Sequence, residues 1–78
     1  MEAFLVELAE LLEVDLVGLT SSYRLEDNEN WDSLALISVV VMIDEHFRLS
    51  VSNERIRECK LVGDLQKLIN DRSETIEI

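Results

Sequence analysis

Residues 31–47 have the sequence WDSLALISVVVMIDEHF, in which a polar loop passes directly into an uninterrupted helical stretch from Ser33 to Phe47. The backbone N–H groups of a first helical turn lack partners within the helix, and the positive end of the helix dipole lies beside them. A serine hydroxyl at this point is therefore well placed to bear a phosphate. The pattern predicts that Ser33 forms a phosphoester.

Two apolar stripes run along the predicted helix. The stripe expected to face the core consists of Leu36, Val39, Val40, Ile43 and Phe47. The second consists of Leu34, Ile37 and Val41. A small bundle rarely buries both, so either the helix is central and nearly enclosed or the second stripe is an exposed patch that binds a partner. Asp44 and Glu45 have the wrong sign for the C-terminal end of the helix dipole, which indicates a role other than stability.

The remaining pattern predicts three more helices and no sheet. The first covers residues 2–13, a short one near 53–58 is capped by Ser52 or Asn53, and the last covers 62–72, followed by a frayed tail at 73–78. Residues 14–32 break the helical period and predict a long loop. Three leucines are expected to pin this loop to the core: Leu16, Leu19 and Leu25. The predicted fold is all-α, one domain over 1–78, a compact four-helix bundle with three longer helices and one short helix.

Size and charge exclude several classes of protein. A chain of 78 residues is too short for a deep substrate cleft, so we do not expect an enzyme. Residues 1–47 contain eleven acids and one base, Arg24, whereas residues 48–78 are neutral overall. Such an acidic field repels nucleic acid and anionic membranes and attracts basic protein surfaces. The alternative is that the charge only keeps a small domain from associating. With a single cysteine, no membrane span and no signal peptide apparent, we expect a cytoplasmic monomer.

The sequence does not contain the residues that a catalytic triad or a metal site would need. His46 is the single histidine, so neither a Ser-His triad nor a multi-histidine metal site can form, and a partly exposed helix-end histidine is expected instead. The acidic run from Asp27 has the outline of a calcium loop, but its sixth residue is Asp32 instead of glycine and its twelfth is Ser38 instead of glutamate. No catalytic residue and no metal site are predicted.

Three segments taken together resemble a known family. They are Asp32-Ser33-Leu34, the helix end Ile43-Asp44-Glu45-His46-Phe47, and the downstream run Leu61-Val62-Gly63-Asp64-Leu65. The tripeptide alone is common by chance. The order and spacing of the three segments, with the size and acidity of the chain, resemble the acyl carrier protein family over nearly the whole length, as a single carrier domain.

The resemblance implies a 4′-phosphopantetheine arm on Ser33, transferred from coenzyme A by a separate phosphopantetheinyl transferase. The thiol of the arm would hold an acyl group as a thioester and present it to partners at high effective concentration. Expected partners are that transferase, an acyl-loading ligase or transferase, and synthase-type enzymes with basic surfaces, but neither nucleic acid nor membrane. Asp32 matches the family's acid that helps engage the transferase. The predicted partner-binding residues are Asp32, Leu34, Ile37, Val41, Asp44 and Glu45.

Departures from the family indicate a specialised member, in a lipid or polyketide-type pathway. Better-known fatty-acid carriers have several acids in the first half of the serine helix, where this chain has Ala35, Ile37 and Ser38, so partner recognition should depend more on apolar contact. Trp31 replaces a small or aliphatic residue and is expected to cover the loop–helix junction or touch the arm. Cys59 falls at an aliphatic core position, which predicts a buried apolar role instead of redox chemistry.

Two alternatives remain open at this level. On local sequence alone Ser33 is an ordinary helix cap, and the chain would then be an unmodified helical adaptor that uses its apolar and acidic faces only for protein contact. A carrier of an aminoacyl group would share the same arm, and the sequence does not discriminate between the cargoes.

Overall fold

The computed structural model describes the backbone of residues 2–76 and the side chains of residues 2–71. Its four α-helices are α1 (Glu2–Leu12), α2 (Ser33–Phe47), α3 (Asn53–Arg57) and α4 (Val62–Ile76). Over the described residues there is no β-strand, so the prediction of an all-α fold with three longer helices and one short helix is confirmed. No helix in that part of the chain has both the length and the apolarity needed to cross a membrane.

The ends of the helices agree with the sequence pattern except at α4. The bounds predicted for α2 are correct at both ends, and Ser52 is the side-chain cap of α3. Helix α4 continues to Ile76, so its predicted end at residue 72 is wrong; no glycine or proline follows that would stop it there. The frayed tail was predicted for 73–78, of which residues 77 and 78 lie outside the described residues.

The core lies between the helices and, among the described side chains, contains only apolar residues. Leu36, Val39 and Ile43 of the predicted core stripe are buried. Val40 and Phe47 only border the core, whereas Ala35 and Met42, which the pattern did not assign, are buried. The buried face of α2 is therefore rotated toward Ala35 and Met42 relative to the predicted stripe.

The connection between α1 and α2 contains two short 3-10 turns, Leu16–Gly18 and Leu25–Asp27. Leu19 and Leu25 are buried as predicted. The anchoring role predicted for Leu16 is wrong, because this side chain remains 39% exposed. It opens the first 3-10 turn, which holds Leu16 and the largely exposed Val17 at the surface before the chain returns to the core at Leu19.

The polar run before α2 closes the end of α1. The side-chain amides of Asn28 and Asn30 both donate to the carbonyl oxygen of Leu12, at 3.1 and 3.2 Å. Glu13 has a φ of 59°, and the amides of Glu13 and Val14 donate to carbonyls of the last helical turn, which is a Schellman motif. The end of α1 and the loop before Ser33 are thus held together.

The same loop also pairs with the connection between α3 and α4. Leu25 N donates to Lys60 O at 2.8 Å, Val62 N to Tyr23 O at 3.0 Å, and Gly63 N to Ser21 O at 2.8 Å. At the start of α4, the Asp64 carboxylate accepts from the amides of Lys60 and Leu61, which lowers the pKa of Asp64 below its usual range. We call the three backbone hydrogen bonds between 21–25 and 60–63 the loop pairing.

Glycine is required at position 63 by the loop pairing. A Cβ added to Gly63 would lie 2.9 Å from Ser21 O, closer than such atoms approach in folded proteins, so one backbone would have to move. We expect Gly63→Ala to lower the free energy of unfolding by about 1–3 kcal/mol, measured by urea denaturation.

Gly18→Ala is the matched control. No atom lies within 4 Å of the position a Cβ would take there, so the variant should be as stable as the unchanged chain or slightly more stable. Similar losses in the two variants would contradict the requirement for close approach at Gly63.

Candidate functional site

Helix α2 begins with a cap that is supplied by Asp32 and not by Ser33. Asp32 has an extended backbone, and its Oδ1 accepts a hydrogen bond from Ala35 N at 3.0 Å. Ser33 is consequently the first residue inside the helix. The alternative in which Ser33 is an ordinary N-cap is wrong.

The Ser33 side chain is exposed, and within the described part of the chain its hydroxyl takes part in no hydrogen bond. It therefore has no structural partner to give up when it reacts. A second macromolecule can also approach it, because the side chain is not enclosed by the bundle. These are the two properties that a serine modified by a separate enzyme needs.

Ser33 borders a surface depression of about 390 Å³ between the start of α2 and the α3–α4 connection. Trp31 and Leu36 contribute apolar lining, whereas Arg57 and Lys60 contribute positive charge. Trp31 is half-buried and packs against the core. The sequence analysis missed Arg57 and Lys60, since no local signal relates them to a serine that lies more than twenty residues earlier.

Cys59 also lines the depression, with its side chain buried as predicted. Burial, reinforced by the nearby charges of Asp64 and Glu58, raises the pKa of the thiol to about 11. At neutral pH the thiol is protonated and is a poor nucleophile. This agrees with a packing role and not with redox chemistry.

The second apolar stripe of α2 is exposed, which decides between the two possibilities that the sequence left open. Leu34, Ile37 and Val41 are 73, 51 and 49% exposed. Asp44 and Glu45 are exposed as well, and the helical period places both carboxylates on the same outer arc as Ser33 and the stripe. The structure thus brings together, on one exposed face, Ser33 and the predicted residues Leu34, Ile37, Val41, Asp44 and Glu45; Asp32 precedes them as the cap.

His46 is a structural residue at the end of α2. Its Nε2 lies 2.7 Å from Glu7 Oε1 of α1, and its ring meets Phe4 edge-on at 6.1 Å between ring centres. The side chain is 22% exposed, as expected of a helix-end histidine. Among the residues the structure describes, no group of three histidine, cysteine or acidic side chains is arranged to hold a metal ion.

Comparisons with known proteins identify the family. No family model matches the chain. It is 34% identical over 58 residues to the acyl carrier protein MbtL of Mycobacterium tuberculosis, which covers 74% of this chain and 69% of that protein. The chain belongs to the acyl carrier protein family. The acyl carrier protein MbtL of Mycolicibacterium paratuberculosis is 36% identical over 58 residues, with the same 74% of this chain covered.

A "Probable acyl carrier protein" of Caulobacter vibrioides is 40% identical over 40 residues, or 51% of this chain. The matched part spans 46% of the Caulobacter protein and 65% of the M. paratuberculosis protein. The solution NMR structure of a holo acyl carrier protein from Geobacter metallireducens has the same fold, with a TM-score of 0.73 and 23% identity over 97% of this chain and 88% of that one.

Membership of the family confirms the predicted resemblance. The family also implies a phosphopantetheine prosthetic group, and the residues present fit one. The Ser33 hydroxyl is exposed and unbonded, and the two basic side chains at the neighbouring depression suit a phosphate.

The division of roles between Asp32 and Ser33 can be tested through stability. We expect Asp32→Ala to lower the free energy of unfolding by about 1 kcal/mol, since an amide of the first turn loses its acceptor. Ser33→Ala should change it by less than about 0.5 kcal/mol, because its hydroxyl has no bond to lose. Both are measured by urea denaturation.

Asp32→Asn retains a side-chain oxygen that can accept from Ala35 N and should remain close to the unchanged chain. A larger loss for Ser33→Ala than for Asp32→Ala would show that the cap has been assigned to the wrong residue.

Proposed function

We propose that this domain carries an acyl group as a thioester on a 4′-phosphopantetheine arm attached to Ser33 Oγ. The acyl group is delivered to partner enzymes of a specialised lipid or polyketide-type pathway. The observation that supports the proposal most is the state of Ser33 in a chain of this family: its side chain is exposed, unbonded and first in its helix. The proposal places the carrier in the cytoplasm and makes a phosphopantetheinyl transferase its first partner.

The attachment step exchanges one phosphorus–oxygen bond for another. The Ser33 oxygen bonds to the phosphorus that bears pantetheine in coenzyme A, and the bond from that phosphorus to adenosine 3′,5′-bisphosphate breaks. The hydroxyl proton passes to the transferase or to water. On the carrier's side, the first turn of α2 presents N–H groups and the positive end of its dipole to the negative charge of the phosphodiester.

The domain contributes position to the later chemistry. An arm fixed at the rigid start of α2 presents its thioester at a defined place on the surface, where a docked partner meets it at high effective concentration. The only thiol that the chain itself provides near Ser33 is Cys59, whose burial and raised pKa of about 11 keep it from accepting the acyl group by thiol exchange.

The outer arc of α2 is proposed as the docking face for protein partners. Its apolar part, Leu34, Ile37 and Val41, fits an apolar pocket on the partner, and Asp44 and Glu45 fit basic residues at the border of that pocket. Within the described residues neither carboxylate takes part in an ion pair, so both remain available to a partner.

Intact mass measures the modification directly. After incubation with coenzyme A and a transferase of broad specificity, the unchanged chain should gain the mass of one phosphopantetheinyl group, and Ser33→Ala should gain none. Ser38→Ala, which removes the other serine of α2, is the control and should be modified like the unchanged chain.

If Ser33→Ala still gains the mass of one phosphopantetheinyl group, the arm is attached to a different residue. If several transferases all leave the unchanged chain unmodified, the chain is the unmodified adaptor and the proposal fails.

Charge reversal tests the acidic part of the docking face. At low ionic strength we expect Asp44→Lys with Glu45→Lys to lower kcat/KM for modification by the transferase about tenfold, and added salt should reduce the difference. Cations are favoured at a helix C-terminus, so the substitutions should not weaken α2 itself.

Glu10→Lys with Asp15→Lys changes the net charge equally and is the control. Both side chains are exposed, on α1 and on the following loop, away from the outer arc of α2. Equal losses in the two double variants would mean that Asp44 and Glu45 act only through the total charge of the domain.

A further inference from the structure

We infer that Arg57 and Lys60 bind the phosphate of the group attached to Ser33, with Trp31 and Leu36 as the apolar wall beside it. These four side chains line the depression that Ser33 borders. The inference rests on the proposed function, in which Ser33 bears a phosphodiester. It adds that the first part of the arm is held against this chain instead of extending freely into solvent.

The distribution of charge makes these two cations unusual. Residues 1–47, which include Ser33, contain a single base, Arg24. Arg24 is already engaged, with Nη2 at 3.7 Å from Glu26 Oε1 and Nε at 3.2 Å from Asp27 Oδ2. The positive charge at the Ser33 depression therefore comes entirely from the neutral C-terminal part of the chain.

The two carboxylates that line the depression each contact another group of this chain. Glu26 pairs with Arg24, and Asp32 accepts the hydrogen bond from Ala35 N that caps α2. Neither Arg57 nor Lys60 forms an ion pair with any described residue. The charge of Lys60 has only the smallest of several effects on the pKa of Asp64. Two cations that form no ion pair with the described residues, beside an esterifiable hydroxyl, suit the single negative charge of a phosphodiester.

The backbone fixes this arrangement independently of the side chains. Arg57 is the last residue of α3, and Lys60 O accepts from Leu25 N in the loop pairing at 2.8 Å. The buried Cys59 anchors the segment between them. The backbone that bears the two basic side chains is thus held at the depression before any ligand arrives, so binding has to order only the side chains.

Trp31 is the only tryptophan of the chain, so its fluorescence reports on this depression alone. The test compares the unchanged chain with Arg57→Gln/Lys60→Gln, each before and after modification, with attachment verified by intact mass. The control is Arg55→Gln/Lys67→Gln, which removes the same amount of positive charge. These two residues line a separate depression that Cys59 also borders. All four are exposed, so the fold should tolerate the changes, and thermal melting verifies this.

Two measurements are expected to report contact between the arm and the depression. On modification, quenching of Trp31 by acrylamide should fall about twofold in the unchanged chain and in the control, because the arm covers one face of the indole. The ³¹P resonance of the modified protein should move with added salt in these two, since salt screens the ion pairs. Arg57→Gln/Lys60→Gln should lose both responses, whereas Arg57→Lys, which keeps the charge, should retain the response to salt.

The possible failures are distinct. If modified Arg57→Gln/Lys60→Gln shows the same protection of Trp31 and the same salt response as the unchanged chain, the phosphate site is overturned while the attachment at Ser33 stands. Absence of any mass gain on the unchanged chain would overturn the proposed function and this inference with it.

Discussion

The loop pairing is the constraint on which the arrangement of the site depends. Three backbone hydrogen bonds join 21–25 to 60–63, and the tight approach at Gly63 leaves no room for a side chain there. Helices α3 and α4 are thereby fixed against the loop that leads into α2. Together with the packing of α3 on α2, this contact places the basic residues 57 and 60 beside Ser33.

Because Asp32 caps α2, the hydrogen bond that starts the helix and the hydroxyl proposed to react belong to different residues. A hydroxyl that stabilised the helix could not be esterified without weakening the helix it begins. Because Asp32 Oδ1 already satisfies the amide of Ala35, the helix start needs no hydrogen bond from Ser33 Oγ, and esterification of that hydroxyl breaks none.

The sequence predicts what is periodic and misses what is brought together by tertiary contact. Apolar spacing predicts both ends of α2 and groups Leu34 with Ile37 and Val41 on one face, because the helical period directly relates residue number to face. The same reasoning fails for Leu16, where a 3-10 turn and not a helix or strand sets the direction of the side chain. Arg57 and Lys60 carry no local signal at all; tertiary contacts, the loop pairing and the packing of α3 on α2, put them at the Ser33 depression.

The two sides of Ser33 differ in electrostatic character, and this follows from how the fold combines the two parts of the sequence. The outer arc of α2 is apolar and acidic, as expected of a surface that meets a basic partner. The depression on the other side is lined by the cations Arg57 and Lys60 as well as by the carboxylates of Glu26 and Asp32. A phosphate held by these cations is kept off the acidic arc, which would repel it, so the docking face remains uncovered while the arm is attached. Partner recognition and retention of the arm can then operate at adjacent surfaces without competing for the same charges.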